Sequence, residues 1–126
     1  GLIEYVSPMS VPHRDMPRLV QDCDIVVDQL LGGFYGVAAI EAMAAGRTVI
    51  GRLAPDVAAL MPEEPVLLDA DPDTLESVVR RVLEDRDTAR ETAAQNLAFV
   101  RRWHDGRASA SALANYLGLP PVTVSD

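Results

Sequence analysis

Apolar positions in this chain fall first into short continuous runs and later into helical stripes. Leu2-Ile3-Glu4-Tyr5-Val6 reads as a strand, and Ser7 to Pro12 as a polar turn whose prolines fix φ and remove amide donors. From His13 to Asp22 the spacing of Met16, Leu19 and Val20 predicts a short helix. Asp24-Ile25-Val26-Val27-Asp28 is β-branched and apolar between charges, as a buried parallel strand should be. Val37 to Ala45 predict a small-residue helix stopped by Gly46, and Thr48-Val49-Ile50 a third strand. Pro55 to Leu60 predict a brief helix, and Pro65-Val66-Leu67-Leu68 a fourth strand. The alternation predicts an α/β fold: a Rossmann-like, right-handed, mostly parallel sheet of about four strands with flanking helices.

Beyond Asp71 the pattern turns wholly helical. Asp71 followed by Pro72 suits an N-cap with proline at N1, and Leu75, Val78, Val79, Val82 and Leu83 then follow an amphipathic stripe. A second helix is expected from Asp87 to about His104, with Ala93, Leu97 and Val100 inward. A third is expected from Ala108 to Leu117, ending at Gly118 and Pro120. This divides the chain into one domain, residues 1–119, and a tail, residues 120–126.

Length and charge narrow the class. A chain of 126 residues can bury a sufficient core as one domain without disulfide or metal. With 48% hydrophobic and 24% charged residues it is an ordinary globular composition. No apolar run approaches the roughly 20 residues of a membrane span. Cys23 is the single cysteine, which excludes an intrachain disulfide and thiolate-rich zinc sites. Cytoplasmic location is the default expectation. Nineteen acids against eleven bases give −8, which argues against nucleic acid as a partner. All eleven bases are arginine, so Schiff-base chemistry, a Walker A loop and a receiver-type phospho-acceptor centred on Asp28 are excluded.

Candidate chemistry concentrates between Leu31 and Ile50. Gly32, Gly33 and Gly36 let the backbone approach a ligand, and the helix that follows offers free amides and a positive dipole end to an anion. In open parallel sheets such turns lie outside the carboxyl ends of the strands, where ligands bind. Glu41 stands alone on an Ala/Val/Ile/Met helix, and helical side chains lean towards the amino end. Its carboxylate matches the two donors of a ribose diol. Spacing alone equally allows Glu41 to cap local backbone or pair with an arginine.

Gly33-Phe34-Tyr35-Gly36-Val37-Ala38-Ala39-Ile40-Glu41-Ala42-Met43-Ala44-Ala45-Gly46-Arg47-Thr48-Val49-Ile50 resembles the donor-site signature of retaining GT-B glycosyltransferases of the GT4 type. Asp22-Cys23-Asp24-Ile25-Val26-Val27 resembles that family's preceding strand, and residues 71–116 its trailing helices. The resemblance implies the carboxyl-terminal, donor-binding half of a GT-B fold. It implies that Glu41 holds the ribose of a nucleoside-diphosphate sugar and that the Gly36 and Val37 amides meet the diphosphate. The family's first glutamate, which contacts the donor sugar, falls on Gly33, so that carboxylate is missing. Thr48 replaces the usual proline, and Arg52-Leu53-Ala54-Pro55 replaces a glycine-rich loop. Phe34, Ser7 and Met9 are weaker candidates for sugar-loop and base contacts.

The family's amino-terminal acceptor-binding domain and the cationic first strand of its donor domain have no counterpart in these residues. The expected partners are therefore a nucleoside-diphosphate sugar and an amino-terminal domain or partner subunit. The isolated chain is expected to be inactive, and neither metal nor cofactor is expected. No residue stands out as catalytic. Half of a sugar-nucleotide 2-epimerase, and a non-catalytic nucleotide-binding or scaffolding module, remain as alternatives. Elsewhere, His13 reads as a solvated helix start and Arg52 as a possible phosphate contact. Arg47 reads as a solvated charge, and Trp103 and His104 as packing.

Overall fold

The computed structural model describes residues 3–120. Two 3-10 turns, Pro8–Ser10 and His13–Asp15, lead into α1 (Met16–Asp22). There follow β1 (Ile25–Val27), α2 (Val37–Ala44), β2 (Thr48–Gly51), α3 (Pro55–Ala58) and β3 (Leu68–Asp69). The chain then continues as α4 (Leu75–Glu84), α5 (Arg86–Trp103) and α6 (Arg107–Tyr116). The three strands are parallel in the order β1-β2-β3, with Val26 opposite Val49 and Ile50 opposite Leu68. This is a small Rossmann-like sheet flanked by helices.

Side chains alternate across the sheet, and both faces are covered, as parallel strands require. Val26, Val49 and Leu67 face a core built with Val20 of α1, Ala39, Ala42 and Met43 of α2, and Phe99 of α5. Ile25, Ile50 and Leu68 face the opposite way, onto Leu75, Val78 and Val79 of α4. Central β2 is buried throughout, whereas Val27 on the edge strand is exposed. The alanines of α2 let that helix sit close on the sheet. They also let it pack closely on α5.

The sheet has three strands where about four were expected. Ile3 to Val6 are exposed and pair with no strand, and Leu2 lies outside the described residues. An apolar run without a sheet neighbour to complete its backbone bonds does not become a strand. Strand β3 begins only at Leu68, because Val66 is satisfied by a side chain instead. The Val66 amide donates to Asn96 Oδ1 and Asn96 Nδ2 donates to the Val66 carbonyl, both at 2.8 Å. The Asn96 amide takes the place of a neighbouring peptide.

Helix ends follow local chemistry. Gly46 has φ +70°; its amide donates to the Met43 carbonyl, and that of Arg47 to the Ala42 carbonyl, closing α2 in a Schellman arrangement. Asp71 caps a turn ahead of α4, accepting the amides of Asp73 and Thr74, so the helix proper starts at Leu75. Asp85 accepts the Thr88 amide at the start of α5. Arg47 is not a solvated charge: it is half-buried and donates to the carbonyls of Ala45 and Cys23. Beyond Pro120, the expected tail lies outside the described residues.

Candidate functional site

The strands end at one edge of the sheet, and each is followed there by a polar residue. Asp28 follows β1, Arg52 follows β2, and Asp71 comes two residues after β3 ends. The Arg52 guanidinium lies 3.3 Å from the Asp71 carboxylate. The Thr74 hydroxyl and amide, which donate to Asp71, hold its carboxyl below the usual range, and Arg52 adds a smaller pull. Arg52 is thus a paired, partly exposed cation at the carboxyl edge.

The turn from Leu30 to Gly36 rises from the same edge and delivers the chain into α2. Three bonds shape it. The Arg52 amide donates to the Gln29 carbonyl at 3.2 Å, the Ala54 amide to the Gly33 carbonyl at 2.8 Å, and the Gly36 amide to Asp28 Oδ2 at 2.9 Å. Gly33 has φ +68°, and a Cβ there would lie 3.0 Å from the Ala54 Cβ. The left-handed backbone favours glycine, and a side chain there would press on Ala54.

Tyr35 turns inward and Phe34 outward. The Tyr35 ring is 5% exposed, and its hydroxyl lies 3.0 Å from His104 Nε2. Burial pushes the Tyr35 hydroxyl pKa up and the His104 pKa down. Phe34 stacks on Tyr35 at 4.7 Å between ring centroids and is 49% exposed.

Helix α2 carries the other expected site residues. Ala39, Ala42 and Met43 face the core, which leaves Val37, Ala38, Glu41 and Ala44 on the outer face. Glu41 is exposed, and its side chain makes no hydrogen bond or ion pair with any described residue. It lines neither of two shallow recesses. The larger, of ≈ 250 Å³, lies at the α4–α5 elbow among Arg80, Leu83, Glu84 and Arg86, remote from the turn in sequence. The smaller, of ≈ 140 Å³, lies beside Tyr35, Met61, Glu63, Phe99, Trp103 and His104.

The structure therefore brings Gly33, Phe34, Gly36, Val37 and Glu41 onto one turn and one exposed helix face. Leu31 of the turn and Val37, one helical turn before Glu41, are 85% and 70% exposed. Ser7 and Met9 are exposed around the first 3-10 turn and make no hydrogen bond to the Gly32–Val37 turn. The sequence excludes Asp28 as a phospho-acceptor but does not reveal its bond to the Gly36 amide. Its place at a strand end eight residues before a glycine-capped helix was the available signal. Trp103 and His104 are packing residues, as expected, but each also makes a polar bond. Trp103 Nε1 donates to Glu63 at 2.6 Å.

Among the described residues no three His, Cys, Asp or Glu side chains assemble a metal site, and no helix is long and apolar enough to cross a membrane. A parallel sheet with a glycine-bearing turn at its carboxyl edge defines the class: a Rossmann-like α/β domain. Within that class, residues 5–115 match the glycosyl transferase-like family model, and the chain belongs to this family. Membership supports a glycosyl transfer role in general. No curated protein and no solved structure shows significant similarity to the chain.

Proposed function

We propose that this chain is the donor-binding half of a GT-B glycosyltransferase, taking a nucleoside-diphosphate sugar for transfer to an acceptor held by a second domain or subunit. The observation that carries the reading is the placement of Glu41: an unpaired carboxylate on the exposed face of α2, one and a half turns from a glycine turn at the carboxyl edge of a parallel sheet. An unpaired carboxylate accepts both hydroxyls of a ribose without first breaking a protein bond. The Val37 amide, at the amino end of α2, has no acceptor among the described residues and suits a phosphate oxygen. The Gly36 amide joins it once the Asp28 carboxylate gives way. Phe34 and Leu31 then border the sugar side of the turn, and Gly33 lets the backbone approach where the family has a carboxylate. Ser7 and Met9 are proposed as base contacts through movement of the segment that carries them.

A complete cleft needs a second wall facing α2, and the exposed Leu31, Phe34 and Val37 mark where it would close. Glycosyl transfer by the assembled protein would need no metal in this reading, with the leaving diphosphate held by amides and by cations from outside these residues.

Isothermal titration of the chain with uridine and guanosine diphosphates tests the reading. Binding that disappears in Glu41→Ala supports it. Absence of binding to either nucleotide favours the non-catalytic scaffolding alternative, which the occupied Gly36 amide independently favours.

A further inference from the structure

We infer that the Tyr35 hydroxyl and His104 form a positioning pair, which holds the Gly32–Val37 turn in shape from the carboxyl end of α5. This rests on the turn being the donor site proposed above. The two residues are 69 positions apart, and their 3.0 Å bond joins the turn to the residue that caps α5. Packing alone does not require it. The ring of Tyr35 already fills its place, edge-on to Phe99 at 6.1 Å and to His104 at 5.7 Å, and a phenylalanine would fill that place equally. Burying a hydroxyl and an imidazole together carries a desolvation cost that two apolar rings avoid. What the pair adds is direction: the bond admits one position of the ring along the axis of its hydroxyl.

That position is transmitted to the site by two short steps. Phe34 stacks on the Tyr35 ring with 17° between planes, so the exposed ring follows the buried one. Gly36, the next residue, carries the amide bonded to Asp28. His104 is itself fixed, with its amide on the Val100 carbonyl at 2.8 Å and its ring 5.4 Å from Phe99. The neighbouring Trp103 is tied to Glu63, which also lies 3.2 Å from the Arg102 guanidinium. The end of α5 is therefore a rigid post, and Tyr35 is the line from it to the turn.

The experiment uses the full chain as wild type, Tyr35→Phe, His104→Gln and His104→Leu. Amide hydrogen exchange is read at Gly36 and, as a control, at Val78 and Val82 of α4. Tyr35→Phe and His104→Leu are expected to speed exchange at Gly36 by about 3–10-fold, the factor one hydrogen bond carries, with α4 unchanged. His104→Gln keeps an acceptor for the hydroxyl and is expected to restore slow exchange. Emission of Trp103, the chain's single tryptophan and a wall of the same recess, should shift in Tyr35→Phe and His104→Leu but not in His104→Gln. Unchanged exchange at Gly36, or equal acceleration at Gly36 and α4, would overturn the positioning role and leave Tyr35 a core residue. Titration of the wild type with uridine diphosphate separates the two ideas. A turn loosened by Tyr35→Phe in a protein that binds no nucleotide sinks the donor-site reading and not the pair.

Discussion

The carboxylate of Asp28, one residue past the end of β1, holds the amide of Gly36, the residue that opens α2, at 2.9 Å. A negative charge thus occupies the helix end that an anionic ligand would seek, and it interacts favourably with the helix dipole. In Asp28→Asn the acceptor remains and the charge goes. Nucleoside diphosphate binding is expected to tighten by about 2–5-fold, matching the roughly 0.3–1 kcal/mol that a charge contributes at a helix end. Calorimetric titration at low ionic strength measures it, and weaker binding in the variant would count against an anion site at this turn.

Glu41 separates binding from folding. Its side chain is exposed and makes no bond with a described residue, so Glu41→Ala should leave the thermal midpoint almost unmoved. The same change is expected to remove detectable nucleotide binding. A variant that binds as well as the wild type would exclude Glu41 from the ribose contact.

Position 33 does not readily accept a side chain. Gly33 lies in the left-handed region with Ala54 against its absent Cβ. Gly33→Ala and Gly33→Glu should each lose about 1–2 kcal/mol from the backbone alone, and more from crowding. Urea unfolding of the two variants checks this; wild-type stability in Gly33→Glu would show that the turn can rearrange to carry the acid.

Asn96 is 1% exposed and spends its amide on both backbone groups of Val66. Asn96→Leu keeps the volume but strands a donor and an acceptor, a loss of roughly 2–4 kcal/mol. Chemical denaturation should show a lower midpoint with an unchanged slope.

Burial depresses the pKa of His104 below its ordinary 6.5. The unfolded chain therefore takes up the proton more readily than the folded one, and stability rises with pH. The contribution is complete above about pH 6.5 and is lost as the pH falls through the folded value. Thermal melts between pH 7.5 and 5 should show this decline flattened in His104→Gln.

The chain's own pattern determined much of this molecule, and the reason is local. β-Branched runs at Ile25–Val27 and Thr48–Ile50 favour strands, glycine at 46 and 118 can adopt the positive φ that ends a helix, and the stripe from Leu75 to Leu83 has one apolar face. The glycine turn and the solitary Glu41 were legible for the same reason, being short-range features of one loop and one helix. Tertiary structure alone decided the rest. Whether Ile3 to Val6 join a sheet depends on a neighbouring edge, and whether Val66 does depends on an asparagine 30 residues away. The bonds from Asp28 to Gly36 and from Tyr35 to His104 arise because the fold brings together groups whose chemistry is silent until they meet. Periodicity reports which face of an element is apolar, but which donor finds which acceptor is settled only when the elements pack.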